Sequence, residues 1–206
     1  ELKSSSFFGV YFVWLMVIAH SPLERITRLP GALVIEPQVF GDSRGFFYES
    51  YNEAKYRDAG IDHRFVQSNV SRSARGVLRG LHYQWPNPQG KLVSVLEGEV
   101  YDVAVDIRHG STTFGQSVGV MLTAENHRHF WVPEGFAHGF CVVSEFATFT
   151  YQCTALYDAR ADAGIRWNDA VLGIDWPISE PLLSDKDGKT PLLADVPAER
   201  LPTYVA

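Results

Sequence analysis

Residues 92–108 read LVSVLEGEVYDVAVDIR, and the pattern of this stretch decides the fold class. An apolar, β-branched run from Leu92 to Leu96 is broken by Glu97-Gly98-Glu99 and resumes at Val100. In the second run Tyr101, Val103, Val105 and Ile107 alternate with Asp102, Ala104, Asp106 and Arg108. A period of two is that of a half-buried β-strand, and the glycine-centred break predicts a turn between two strands. Further strands are expected downstream at 115–122, 129–132, 139–143 and 148–154, each bounded by Gly, Pro or Asn. Upstream, residues 31–40 read as a strand pair or one bent strand, 42–45 as a turn, and 46–51 as a returning strand. The best helix candidate is 51–60, built of good helix formers with Gly60 as its stop. Many short strands with little helix predict an all-β protein, a sandwich or jelly-roll barrel with short peripheral helices. Past Tyr157 the pattern becomes a loop-rich tail, with Trp167 and Trp176 as expected anchors against the barrel.

At 206 residues the chain suits one domain with a sizeable core. A net charge of −6 gives no global basic field, so neither nucleic acid nor a membrane surface is an expected partner. Any anionic ligand must be met by a local group of arginines and lysines. Cys141 and Cys153 make no disulfide framework, and a reducing cytoplasm is the expected location.

Residues 7–19, FFGVYFVWLMVIA, are continuously apolar. Thirteen residues fall short of the roughly 20 that span a bilayer. A signal-peptide core, a peripheral or non-native extension and an added strand remain open readings. Residues 1–22 are therefore set apart as an N-terminal extension of uncertain origin, and 23–206 as the functional domain.

His127 and His129 invite a metal reading, but no acidic or cysteine partner is near them in sequence; they are expected to be polar, exposed histidines at a strand start. His82 with His138 supplies two ligands, too few for a closed site, and no metal or cofactor is expected. Proton transfer is the better chemistry. His82, in Arg79-Gly80-Leu81-His82-Tyr83-Gln84, carries an imidazole, the side chain suited to removing a proton next to a ketone at neutral pH. Lys91 follows Gln89-Gly90 into a strand, as a surface lysine or as a charge directed inward to stabilise an enolate oxygen. Tyr151 shares a strand face with Phe149 and Cys153; core packing is its simplest role, proton donation the other. His138 is flanked by glycines and aromatics, as a structural histidine or a ligand contact. Arg44 and Arg79 each adjoin a glycine, which suits a phosphate's close approach but is also common in turns. Asp187, in Ser184-Asp185-Lys186-Asp187-Gly188, reads as a solvated turn.

Together these segments resemble the dTDP-4-dehydrorhamnose 3,5-epimerase family of the cupin superfamily. The resemblance runs from about Leu23 to Leu193. It is carried, in order, by Asp42-Ser43-Arg44-Gly45-Phe46-Phe47 with Glu49, by Gln67-Ser68-Asn69-Val70-Ser71, and by residues 76–84 (GVLRGLHYQ). Gln89-Gly90-Lys91, residues 100–108, residues 133–140 (PEGFAHGF), Tyr151, Tyr157, residues 165–169 (IRWND) and residues 183–187 (LSDKD) complete it. The resemblance implies a cupin-type jelly roll that inverts C3 and C5 of dTDP-4-keto-6-deoxy-D-glucose without metal or cofactor, giving dTDP-4-keto-L-rhamnose. It implies His82 as base, oriented by Asp187, Lys91 as enolate stabiliser and Tyr151 as the opposing proton donor. Arg44, Glu49, Gln67, Asn69, Arg79, His138 and Lys186 would bind the nucleotide sugar, with Asp102 and Tyr157 in the pocket wall. A homodimer is expected, with Arg44 serving the neighbouring subunit. Two departures stand out. The loop 83–90 is one residue short, and Asp162-Ala163 stands where the family often has Glu before a glycine. A single-site epimerase and a non-catalytic sugar-nucleotide-binding module are the rival readings.

Overall fold

The computed structural model describes residues 24–205; the expectation for residues 1–22 lies outside them. In chain order the strands are β1 (Glu24–Ile26), β2 (Leu33–Ile35), β3 (Val39–Asp42), β4 (Gly45–Tyr48), β5 (Gln67–Ala74), β6 (Leu78–Gln84) and β7 (Lys91–Glu97). They continue as β8 (Glu99–Asp106), β9 (Ser117–Thr123), β10 (His129–Val132), β11 (Phe136–Val142), β12 (Phe146–Cys153) and β13 (Asp162–Gly164). A short helix, α1 (Glu53–Asp58), precedes β5; Asn52 caps it by accepting the Lys55 N–H, and Gly60 ends its turn at φ +90°. Two antiparallel sheets face each other as a jelly roll, one ordered β1-β2-β10-β7-β12-β5 and the other β13-β6-β11-β8-β9. β3 and β4 form a separate hairpin.

Between the sheets, Val93, Val95, Phe130, Val132 and Phe149 meet Val100, Ala104, Leu122, Phe140 and Val142. Each fully buried large side chain contributes roughly 1.5–3 kcal/mol. A second apolar layer lies behind the five-stranded sheet, where Leu81, Tyr83, Val103, Val105 and Ile107 are covered by Leu172, Leu193 and Leu201 of the C-terminal tail. Trp176 packs on this layer and donates its indole N–H to the Trp167 carbonyl.

This second layer corrects the reading of β8 as half-buried. Its apolar row lies under the tail, while the opposite row, Val100, Asp102, Ala104 and Asp106, faces the other sheet and is just as buried. Buried carboxylates need partners. Asp106 finds Arg108, Ser111 and Thr113, and Asp102 finds His138. His129 is a second correction: it is 3% exposed, not a surface residue, because α1 covers it and the Tyr56 hydroxyl reaches its Nδ1 at 2.7 Å. His127 lies in the turn before β10, against Phe46 and Tyr48 of the hairpin.

One close approach sets the position of the site. A Cβ built on Gly80 would lie 2.5 Å from the Gly139 Cα, and one on Gly139 would lie 2.7 Å from the Arg79 carbonyl oxygen. Gly80 also sits at φ +130°, where side chains are strained. The missing side chains let β6 and β11 press together so that His82 pairs in register with His138. Gly139→Ala should cost about 1–3 kcal/mol by overpacking, lowering the melting temperature by roughly 3–10 °C in a domain of this size. Scanning calorimetry would read this, and an unchanged transition would mean that the two strands part freely.

Candidate active site

Strand alternation collects the polar residues inside the barrel. On β6 the residues flanking His82, Leu81 and Tyr83, go under the tail, so His82 faces inward. On β11 Ala137 goes under the tail and His138 inward; on β8 Asp102 shares the inward row with Val100 and Ala104. From the opposite sheet, Lys91 shares its face of β7 with Val93 and Val95, and Tyr151 shares its face of β12 with Phe149. Gln67, Asn69 and Ser73 alternate along β5 with the exposed Ser68, Val70 and Arg72. The base candidate therefore stands on one sheet, and the lysine and tyrosine on the other.

The His82 Nε2 lies 2.5 Å from the Asp187 Oδ1. A carboxylate only accepts, so Nε2 carries the proton and Nδ1 is left as the acceptor. With 31% of its side chain exposed, His82 is open to a ligand. Asp187 is 3% exposed, which corrects its reading as a solvated turn. Three neighbours build its short 3-10 turn. The Ser184 hydroxyl accepts the Asp187 N–H at 3.1 Å, the Thr190 hydroxyl donates to the Asp187 carbonyl at 3.0 Å, and Gly164 makes room. Gly164 pairs with His82 in register, and a Cβ there would lie 2.8 Å from the Thr190 Cγ2. Burial works to raise the Asp187 pKa, but the hydrogen bond and charge of His82, with Ser184 and Lys186, outweigh it and hold the carboxyl below its ordinary value.

Lys91 opens β7 between Val132 and Cys153. Its strand start is anchored by Thr154, whose hydroxyl accepts the Gly90 N–H at 2.9 Å and donates to Glu134 at 2.6 Å. Among the described residues the Lys91 ammonium has no hydrogen-bond or ion-pair partner. Burial pushes its pKa down, against the opposing pull of Cys153, Asp102 and Asp162. Burial likewise raises the Tyr151 phenol above its usual value, with Arg79 pulling the other way. The Tyr151 hydroxyl is thus kept protonated. His138 donates its Nε2 proton to Asp102, at 2.9 and 3.1 Å from the two carboxylate oxygens, and its ring lies 6.2 Å from that of Phe149. That pairing satisfies the buried Asp102 carboxylate with an imidazole N–H and leaves Lys91 without a direct partner among the described residues.

At the mouth, Asp162 accepts the Tyr157 hydroxyl at 2.9 Å and forms an ion pair with Lys186. The aspartate at the departure from the family pattern therefore joins Tyr157 to Lys186. Gln67 accepts the Tyr157 N–H at 2.8 Å and donates to Asn69, which in turn reaches the Cys153 sulfur. Arg79 donates through Nε and Nη2 to the Ser73 hydroxyl. Ser73, Thr190 and Thr154 were missed in the sequence. Only Ser73 had a readable signal, the alternation Gln67, Asn69, Ser71, Ser73. Two expected ligands lie apart from this group within the chain. Arg44 sits at the exposed tip of the β3–β4 hairpin, paired with Asp42, and Glu49 is tied to Lys55 and Asn52.

Known proteins match both sequence and fold. Residues 26–195 match the family model described as dTDP-4-dehydrorhamnose 3,5-epimerase. The dTDP-4-dehydrorhamnose 3,5-epimerase of Shigella flexneri is 56% identical over 163 residues, covering 78% of this chain and 90% of that protein. A solved structure of the dTDP-6-deoxy-D-glucose-3,5-epimerase of Legionella pneumophila, in complex with dTDP-4-keto-L-rhamnose, superposes with a TM-score of 0.85 at 55% identity. It covers 87% of this chain and 97% of that one. A 3'-monoepimerase from Streptomyces bikiniensis, in complex with dTDP-quinovose, superposes at 0.80 with 37% identity, covering 86% of this chain and 92% of that one. The histidine–aspartate pair facing a lysine and a tyrosine thus lies within a chain that belongs to the dTDP-4-dehydrorhamnose 3,5-epimerase family.

Proposed function

We propose that the barrel inverts C3 and C5 of dTDP-4-keto-6-deoxy-D-glucose, giving dTDP-4-keto-L-rhamnose in dTDP-L-rhamnose biosynthesis. The observation that carries this reading is the placement of His82 on one sheet and Tyr151 on the other. Inversion at carbon requires a proton to leave one face and return to the opposite one. Nδ1 of His82 takes the proton α to the ketone, and Asp187 holds the ring in the needed tautomer and stabilises the imidazolium. The electron pair moves onto the C4 oxygen, which the Lys91 ammonium stabilises. Tyr151 protonates the carbon from across the barrel; once solvent has taken the proton from His82 and returned one to Tyr151, the cycle repeats at the second centre. His138, Arg79, Gln67, Asn69, Tyr157, Lys186 and Asp102 hold or wall the nucleotide sugar.

We infer further that the working unit is a homodimer in the cytoplasm. Phe40, Phe46 and Phe47 of the β3–β4 hairpin are 55–69% exposed, and Val70 and Leu96 open onto the outer face of the six-stranded sheet. Such a patch on a lone chain marks an interface, worth about 2 kcal/mol for each phenylalanine buried. A partner seated there would receive Arg44 and Glu49 from the hairpin. The free thiols Cys141 and Cys153 suit a reducing compartment.

In D₂O the enzyme should wash deuterium into both C3 and C5 of the substrate. His82→Ala should abolish the exchange, and Asp187→Asn should slow it by about 10²–10⁴-fold. Exchange at one centre would favour a single-site epimerase; none at either, with substrate bound, would leave a binding module. The pH profile carries a second expectation. Lys91 must be charged and its pKa lies below the usual 10.5, whereas Tyr151 holds its proton above the usual 10. Loss of the Lys91 charge is then the expected origin of the alkaline limb of kcat, and Lys91→Arg should move it to higher pH. An unmoved limb would assign it to another group. Mixing His82→Ala with Arg44→Ala subunits tests the dimer. If Arg44 acts across the interface, mixed dimers hold one intact site each, restoring about a quarter of wild-type activity from two inactive proteins. No recovery would place Arg44 in its own subunit's site or outside the mechanism.

A further inference from the structure

Arg79 is held differently from the five arginines that meet acids, and also from Arg28 and Arg166, which donate to the backbone carbonyls of Ser117 and Thr190. Arg44, Arg72, Arg108, Arg128 and Arg160 each pair with a carboxylate, respectively Asp42, Glu97, Asp106, Glu36 and Asp158. Arg79, exposed on β6, meets a neutral group instead. Its Nε and Nη2 donate to the Ser73 hydroxyl at 3.2 and 3.1 Å, and among the described residues it has no acidic partner. Ser73 is 7% exposed and sits on the inward row of β5 with Gln67 and Asn69. The positive charge of Arg79 also pulls on the Tyr151 phenol, against the effect of burial, so the two lie near one another.

We propose that Ser73 is a positioning residue, holding Arg79 in a fixed orientation while leaving its charge free for the diphosphate of the nucleotide sugar. A carboxylate at this place would hold the guanidinium equally well but cancel the charge that a phosphate oxygen needs. A hydroxyl occupies one edge of the fork and leaves the remaining N–H groups to the ligand. The inference rests on the reading of Arg79 as a substrate-binding residue. It goes beyond that reading by assigning the group that prepares the arginine, and by requiring that group to be uncharged.

The test compares dTDP with thymidine, which lacks the diphosphate, in calorimetric titrations of the full chain, together with steady-state kinetics. Ser73→Ala should weaken dTDP and raise KM by about tenfold, with kcat changed far less and thymidine binding unchanged. Ser73→Thr keeps the hydroxyl and should restore both. Ser73→Asp supplies a stronger anchor but a neutralising one, and should weaken dTDP by about 100-fold. A purely structural serine would lose dTDP and thymidine affinity together, and that result would overturn the inference. So would Ser73→Asp binding dTDP as tightly as wild type. Arg79→Ala separates the two levels. If it leaves dTDP affinity intact, the substrate-binding reading of Arg79 fails and the inference with it. If it weakens dTDP while Ser73→Ala does not, the positioning role alone fails.

Discussion

Where Gly80 passes Gly139, β6 and β11 approach more closely than two strands bearing side chains allow. The proposed chemistry depends on that contact. It brings the His82 and His138 positions into register on one sheet, and the shift in pairing between His138 and Phe140 is where the two strands adjust to it. Gly164 repeats the device on the other side of β6, leaving space for Thr190 and so for the turn that carries Asp187. His82 is thus flanked on both sides by strands thinned to glycine.

Within the barrel, polar groups are distributed so that carboxylates meet imidazoles. Asp187 takes His82 and Asp102 takes His138. Had either acid paired with Lys91, the ammonium would be neutralised where negative charge is proposed to develop. Pairing with histidine satisfies the buried acids while keeping the lysine available. The same economy governs Arg79, held by a hydroxyl where five other arginines meet acids. A protein of net charge −6 thereby keeps two cations, Lys91 and Arg79, without an acidic partner among the described residues.

The two faces of the jelly roll are finished differently. Behind the five-stranded sheet the C-terminal tail supplies its own second core, and in crossing β6 it delivers Asp187. On the six-stranded sheet, α1 covers Leu33, Leu92 and Trp131, while Val70 and Leu96 stay exposed next to a hairpin rich in phenylalanine. One face is closed by the chain itself, and the other has the character of a surface awaiting a partner.

Much of this was legible from residue order. The period of two in 92–108 identified β8, and the runs around Lys91 and Tyr151 placed each on a strand, because side-chain direction in a strand follows from chemistry one residue away. The motif order around His82 identified the family. Burial of both faces of β8 was not legible, since the tail that covers it lies far along the chain. Nor was the burial of His129, which depends on α1, or that of Asp187, whose sequence is that of an ordinary turn. The sequence by itself determined the all-β class, most of the strands and the kind of chemistry they carry. Only the tertiary structure decided which acid meets which base, because those pairs join residues 36 and 105 positions apart, and no local pattern records contacts at that range.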